Sequence, residues 1–199
     1  NGTGKTTLLQ VIAGLEGSEG ENAKIQFKKD LRIEYLTQEP EFNPEHTVMD
    51  AIFASENPVL QAVKEYESAL LHPENEDRMQ KAMNKMEDHE AWDMESKVKE
   101  ILTKLKIGDF ELQVKNLSGG QVKRLALAKV LISEPELLIL DEPTNHLDME
   151  MIEWLENYLQ HPGLTLLLVT HDRYFLENVC NQILELENGN IYKYAGNYS

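Results

Sequence analysis

Two apolar runs constrain this chain more than any other feature. Leu137-Leu138-Ile139-Leu140 and Leu164 to Val169 lack the polar alternation of a strand that keeps one wet face. Strands that read this way are buried on both faces, as in a parallel sheet. Between them, Asp148 to Leu159 is patterned as a helix, so strand, helix and strand make a βαβ unit. The fold class is α/β.

Each run ends on polar chemistry, and ligands of α/β sheets collect at the carboxyl ends of strands. The first ends in Asp141-Glu142. Asp141 there could hold magnesium through water, and Glu142 could polarise a water in line with a γ-phosphate. Burying two adjacent acids with no cation nearby is costly, which disfavours a merely structural pair. The second run ends in Thr170-His171-Asp172. A histidine at the matching strand end can sense a γ-phosphate and position a water near neutral pH, although a lone histidine is more often structural. Gln38 follows the strand-like Ile33 to Leu36. Its amide could reach magnesium or the attacking water.

The first residues supply the phosphate end of such a site. Gly2-Thr3-Gly4-Lys5-Thr6-Thr7 reads as the tail of the phosphate loop G-x-x-x-x-G-K-[ST]. Bare glycine backbone lets N–H groups wrap phosphates. Lys5 would reach the β- and γ-phosphates, the Thr6 hydroxyl would ligate magnesium, and the helix that follows would aim its positive end at the anion. Gly-Lys-Thr alone also fits a chance turn. The pattern's first glycine would precede Asn1 by two residues, so the sequence is expected to be cut inside its own loop. A second anion site is suggested by Ser118-Gly119-Gly120-Gln121, a helix start with a good N-cap and uncovered first-turn amides. Read in isolation, a plain capped helix start is the favoured explanation of those residues.

The rest of the chain organises around these pieces. Helix is expected from Thr6 to Leu15, and strands over Lys24 to Phe27 and Leu31 to Leu36 with a turn near Asp30. From Pro40 the pattern turns helical and charged. Met94, Val98, Ile101, Leu102 and Leu105 fall on one helix face, and Met79, Met83 and Met86 make a similar stripe, expected to pack in the core. Ile183 to Tyr194 reads as a hairpin about Asn188-Gly189, its Leu-Glu alternation fitting one buried face. The expected division is an α/β core of 1–39 and 117–199 interrupted by a helical insertion, 40–116.

Composition removes several function classes. A formal charge of −16 repels phosphate backbones, so broad nucleic-acid binding, DNA included, is disfavoured. No apolar run nears the roughly 20 residues that span a bilayer, so direct membrane insertion of this segment is excluded. Cys180 is the only cysteine, so no internal disulfide forms; it is expected to be a small core residue in a reducing, cytoplasmic compartment.

Taken together and in this order, the motifs resemble the ATP-binding cassette family, a P-loop NTPase fold, over nearly the whole chain. Gly2 to Thr7 is similar to Walker A, Gln38 to the Q-loop, Ser118, Gly119, Gly120 and Gln121 to the signature, Leu137 to Glu142 to Walker B, Asn145 to Asp148 to the D-loop and His171 to the switch histidine. Two stretches resemble the F subfamily (ABC-F): Asp141-Glu142-Pro143-Thr144-Asn145-His146-Leu147-Asp148 and His171-Asp172-Arg173-Tyr174-Phe175-Leu176. Transporter cassettes more usually carry Ser-Ala at Asn145-His146. The long charged insertion and the Tyr194-Ala195-Gly196-Asn197-Tyr198 ending are similar to the first cassette of Uup-like proteins.

The resemblance implies ATP and Mg2+ as ligands, with Thr6, Gln38 and Asp141 at the metal and Glu142, His171 and Gln38 in catalysis. It also implies a second cassette on the same chain, whose nucleotide would face this signature and Asp148, and a ribosome-associated role in translation. The alternative is the nucleotide-binding subunit of a membrane transporter; a DNA-repair cassette fits the acidic balance least. Without the upstream half of the loop and the adenine platform, this piece alone is expected to hydrolyse ATP poorly.

Overall fold

Strands β1 (Ile33–Leu36), β2 (Leu137–Asp141) and β3 (Thr165–Val169) form a parallel sheet in the order β1-β2-β3, as the unalternated runs imply. In register, Tyr35 lies opposite Ile139 and Asp141 opposite Val169. The computed structural model describes residues 4–17, 24–55, 57–187 and 189–196. Its chain folds as two units, one of 1–40 with 134–199 and one of 41–133.

In the first unit the middle strand carries the core. Leu138, Ile139 and Leu140 on β2 are buried, whereas β3 is only half-buried along most of its length. The expectation of burial on both faces therefore holds for β2 and fails for β3, which has one strand neighbour among the described residues. Helix α1 (Lys5–Ile12) ends three residues earlier than its apolar spacing suggests. Gly14, at φ 76°, takes the left-handed conformation that closes it, with the Leu15 N–H donating to the Gln10 carbonyl at 2.9 Å and the Gly14 N–H to Val11 at 3.1 Å.

No strand forms over Lys24 to Phe27. Ile25 and Phe27 are exposed, and no described strand pairs with this stretch, so β propensity there finds no ladder.

Helices α7 (Met149–Leu159) and α8 (Arg173–Val179) follow β2 and β3. The α7 helix buries Met151, Leu155 and Leu159, spaced four apart, and α8 buries Phe175. An antiparallel hairpin, β4 (Gln182–Glu187) and β5 (Asn190–Ala195), closes the chain. Its alternation does not produce a buried face: Leu184, Ile191, Tyr192 and Tyr194 are all exposed. Asn188 and Asn197 to Ser199, named in the motif reading, lie outside the described residues. Cys180 is half-buried, not a core residue, and burial pushes its thiol pKa up.

The second unit is helical: α2 (Val48–Phe53), α3 (Pro58–Leu70), α4 (Glu76–Asp88), α5 (Met94–Lys104) and α6 (Gly119–Ile132), with short 3-10 turns at Ala91–Asp93 and Val114–Asn116. Local chemistry sets the starts. Thr47 and Asp50 form a capping box, Asn57 caps α3 with Pro58 at its first position, and Asn75 caps α4. All five apolar residues of the α5 stripe, Met94 to Leu105, are buried. The methionine stripe is not: Met86 is buried with Ala82, but Met83 is exposed, because the buried face of α4 is centred on Ala82 and Met86 and Met83 falls at its edge. Helix α6 groups with these helices, so this unit runs past the sequence-based boundary at residue 116.

Candidate active site

Parallel register brings the carboxyl ends of three strands together, and the polar residues that terminate the apolar runs meet there. Asp141, the last residue of β2, is only 3% exposed. Its Oδ2 accepts two hydrogen bonds, from the Thr6 hydroxyl at 2.8 Å and from the Gln38 amide Nε2 at 3.0 Å. Thr6 sits in the first turn of α1 and Gln38 lies two residues beyond β1. Three segments, with Thr6 135 and Gln38 103 residues from Asp141 along the chain, are thus tied to one carboxylate oxygen.

The other oxygen of Asp141, Oδ1, is buried without a hydrogen-bond partner among the described residues. An orphaned carboxylate oxygen is expensive in the absence of a cation. The surrounding donors are a carboxylate, a hydroxyl and a side-chain amide, all hard oxygen chemistry. No cluster of three or more His, Cys, Asp or Glu that could hold a metal exists among the described residues. The Asp141 carboxylate beside the Thr6 hydroxyl fits Mg2+, which binds through one or two protein oxygens and completes its shell with water and phosphate. Asp141 and Thr6 could hold it, with Gln38 beside them. The negative charge of Asp141 is also felt by Tyr35 on β1: burial first, then Asp141 and Glu16, push the phenol pKa up.

Glu142 follows immediately, with φ 53°, in the left-handed region that non-glycine residues rarely adopt. Its N–H extends the ladder by donating to the Val169 carbonyl at 2.7 Å. The side chain is largely buried and lies at the end of β3. Oε2 accepts from the Thr170 hydroxyl at 3.3 Å and from the His171 N–H at 3.4 Å. Oε1 lies 3.5 Å from His171 Nε2, on an imidazole that is 76% exposed.

At the phosphate end, Gly4 has φ 73° and opens α1, its carbonyl accepting from the Leu8 N–H at 2.9 Å. A Cβ built there would meet nothing within 4 Å, so conformation rather than crowding requires the glycine. Lys5 is the first residue of α1 and Thr7 an exposed residue of its first turn. Gly2 and Thr3 lie outside the described residues.

In the helical unit, Ser118 and Gln121 form a reciprocal capping box, with the Ser118 N–H donating to Gln121 Oε1 at 2.9 Å. Nothing within 4 Å would obstruct a Cβ on Gly119, so packing inside the chain does not demand that glycine. Asp148 caps α7, its Oδ1 accepting from the Met151 N–H at 3.1 Å. Thr170 received no role in the sequence reading. The register could have found it: with Asp141 opposite Val169, the next residue on each strand is Glu142 and Thr170.

Comparison with known proteins adds independent findings. The ABC transporter family matches residues 1–145. The ABC transporter ATP-binding protein YfmR of Bacillus subtilis is 51% identical over the whole chain, which covers 32% of that protein. The energy-dependent translational throttle protein EttA of Escherichia coli K12 is 38% identical, with 37% of it covered, and the ATP-binding protein Uup of Haemophilus influenzae is 35% identical, with 31% covered. The chain thus spans about a third of the length of these curated relatives. Among solved structures, RNase-L Inhibitor aligns with a TM-score of 0.61 at 28% identity, covering 97% of this chain and 32% of that one. The ATP-binding cassette MJ0796, in a dimeric post-hydrolysis state bound to ADP and Pi, aligns at 0.62 and 22% identity over 98% of this chain and 81% of that one, a likeness of fold.

Proposed function

The chain belongs to the ABC transporter family, and from that premise we propose that it is an ATP-binding cassette of an ABC-F ATPase that acts on the ribosome. The observation that carries the ATPase reading is the Asp141 carboxylate: buried, holding Thr6 and Gln38 on one oxygen and leaving the other without a partner. Such an arrangement suits a magnesium nucleotide and little else.

The residues divide the work. Gly4 and the first turn of α1 present backbone N–H groups to the phosphates, and Lys5 adds positive charge. Asp141, Thr6 and Gln38 would hold Mg2+, which would supply charge neutralisation of the phosphate oxygens. Glu142 accepts a hydrogen bond from the attacking water and polarises it, while His171 positions that water and contacts the γ-phosphate. Phosphoryl transfer depends on positioning and electrostatics more than on covalent chemistry, so this set suffices once water is excluded. Exclusion needs a second cassette, whose signature closes over the nucleotide as Ser118, Gly119, Gly120 and Gln121 do for the opposite site, with Asp148 between them.

The ribosomal part of the reading is supported by the named role of EttA in translation and by the Asn145-His146 and Arg173-Tyr174-Phe175 stretches. No helix among the described residues is long and apolar enough to cross a membrane. The test uses the intact protein. Glu142→Gln is expected to bind ATP, to lose turnover by about a hundredfold or more, and to co-sediment with ribosomes in ATP. Recovery in the membrane fraction with a partner subunit, and no ribosome association, would favour the transporter reading instead.

A further inference from the structure

Glu142 has one carboxylate oxygen that accepts two hydrogen bonds and one that faces the His171 ring, and one of the two donors is a residue with no assigned role. The Thr170 hydroxyl stands between two groups. It donates to Glu142 Oε2 at 3.3 Å and accepts from the Asp172 N–H at 3.1 Å. The second bond engages one of the hydroxyl's two lone pairs and so narrows the directions open to its proton, of which the Glu142 carboxylate is the one with an acceptor. The His171 N–H adds a second donor to the same oxygen at 3.4 Å. Oε1 is left on the side of the exposed His171 ring.

We infer that Thr170 is a positioning residue: it anchors Glu142 Oε2 so that Oε1, beside the His171 imidazole, is the oxygen that receives the water's proton. This rests on Glu142 being the water-polarising carboxylate, as proposed above. The physical need is clear from the backbone. Glu142 leaves β2 in a left-handed turn, and a flexible side chain beginning there samples several directions unless its far end is tied. A carboxylate free to rotate presents the wrong oxygen, or none, for much of the time, and misplacement by an ångström is enough to cost rate. Anchoring beyond the end of β3 also couples Glu142, which follows β2, to the segment that carries the histidine.

The test is steady-state ATP hydrolysis by the intact protein. Thr170→Val is expected to lower kcat about tenfold with the KM for ATP unchanged, since the hydroxyl contacts Glu142 and not the phosphates. Thr170→Ser, which keeps the hydroxyl, is expected to restore kcat to within about twofold. In a Glu142→Gln background, Thr170→Val is expected to cost nothing further in single-turnover rate, because its partner is already disabled. A purely structural role would instead lower turnover in both backgrounds. Thr170→Ala removes the same hydroxyl with less bulk and gives the same readout should the valine variant fold poorly.

Wild-type kcat in Thr170→Val and Thr170→Ala, equal loss in Thr170→Ser, or a raised KM in place of a lowered kcat overturns the inference. If Glu142→Gln itself turns over normally, the reading of Glu142 fails first. If Glu142→Gln is inactive while Thr170→Val is not, only the role of Thr170 falls.

Discussion

At the residue scale, the buried carboxylate of Asp141 sets stability against function. Its unpartnered oxygen costs free energy in the empty fold, while the same oxygen is what a bound cation needs. Asp141→Asn is therefore expected to leave the nucleotide-free protein as stable as wild type, or more stable by about 1 kcal/mol, and to lose the rise in melting temperature that MgATP confers. Thermal denaturation with and without MgATP reads both. Tyr35 gives a pH signature of the same charge. Burial, Asp141 and Glu16 raise its pKa in the folded state above the ordinary 10.0. The folded protein thus holds the phenolic proton that the unfolded chain releases. That contribution is complete below pH 10 and is lost as pH climbs through the raised folded value. Tyr35→Phe is expected to flatten the loss of stability above pH 10, measured by urea unfolding.

Elements differ in what maintains them. Helix α5 exists because its stripe is buried: Leu102 and Leu105 have no exposure. Leu102→Ala is expected to destabilise the protein by about 2–5 kcal/mol in urea titration, the range for a cavity that its surroundings cannot fill. Helix α6 depends instead on its first turn, where Ser118 serves both as a cap and as the proposed contact to another cassette's nucleotide. These roles separate with Ser118→Asp, since aspartate caps as well as serine. Unfolding free energy is expected to stay within about 0.5 kcal/mol of wild type, while ATP turnover by the intact protein collapses because a carboxylate would face the γ-phosphate. Retained turnover would remove Ser118 from the nucleotide.

For the whole molecule, charge is the governing quantity. With a formal charge of −16, association with RNA through phosphate contacts is disfavoured. The segment is expected to show no measurable binding to duplex DNA or RNA in gel shift at 150 mM salt, and its ATP hydrolysis no stimulation by DNA. Any ribosome contact then requires local basic surface or protein contacts, in keeping with the partial coverage of the relatives' length.

Periodicity and motif order made most of this legible from the chain alone. The α/β class and the α5 stripe follow from spacing within about a dozen residues, where side-chain direction is dictated by the backbone repeat, and motifs named Thr6, Gln38 and Asp141, which the fold ties together. What spacing cannot encode is who the neighbour is. Lys24 to Phe27 has strand residues but no ladder to join, and Met83 shares its stripe's composition but misses its face. Leu184 and Ile191 alternate as a buried face would, yet stay exposed. The same holds for chemistry. Asp141 and Glu142 announce themselves as acids at a strand end, but only the parallel pairing of β2 with β3 sets Thr170 against Glu142 and leaves one carboxylate oxygen anchored and one available. Local periodicity is a property of the covalent chain, whereas pairing across 28 residues exists only once loop-closure entropy has been overcome by the packed sheet.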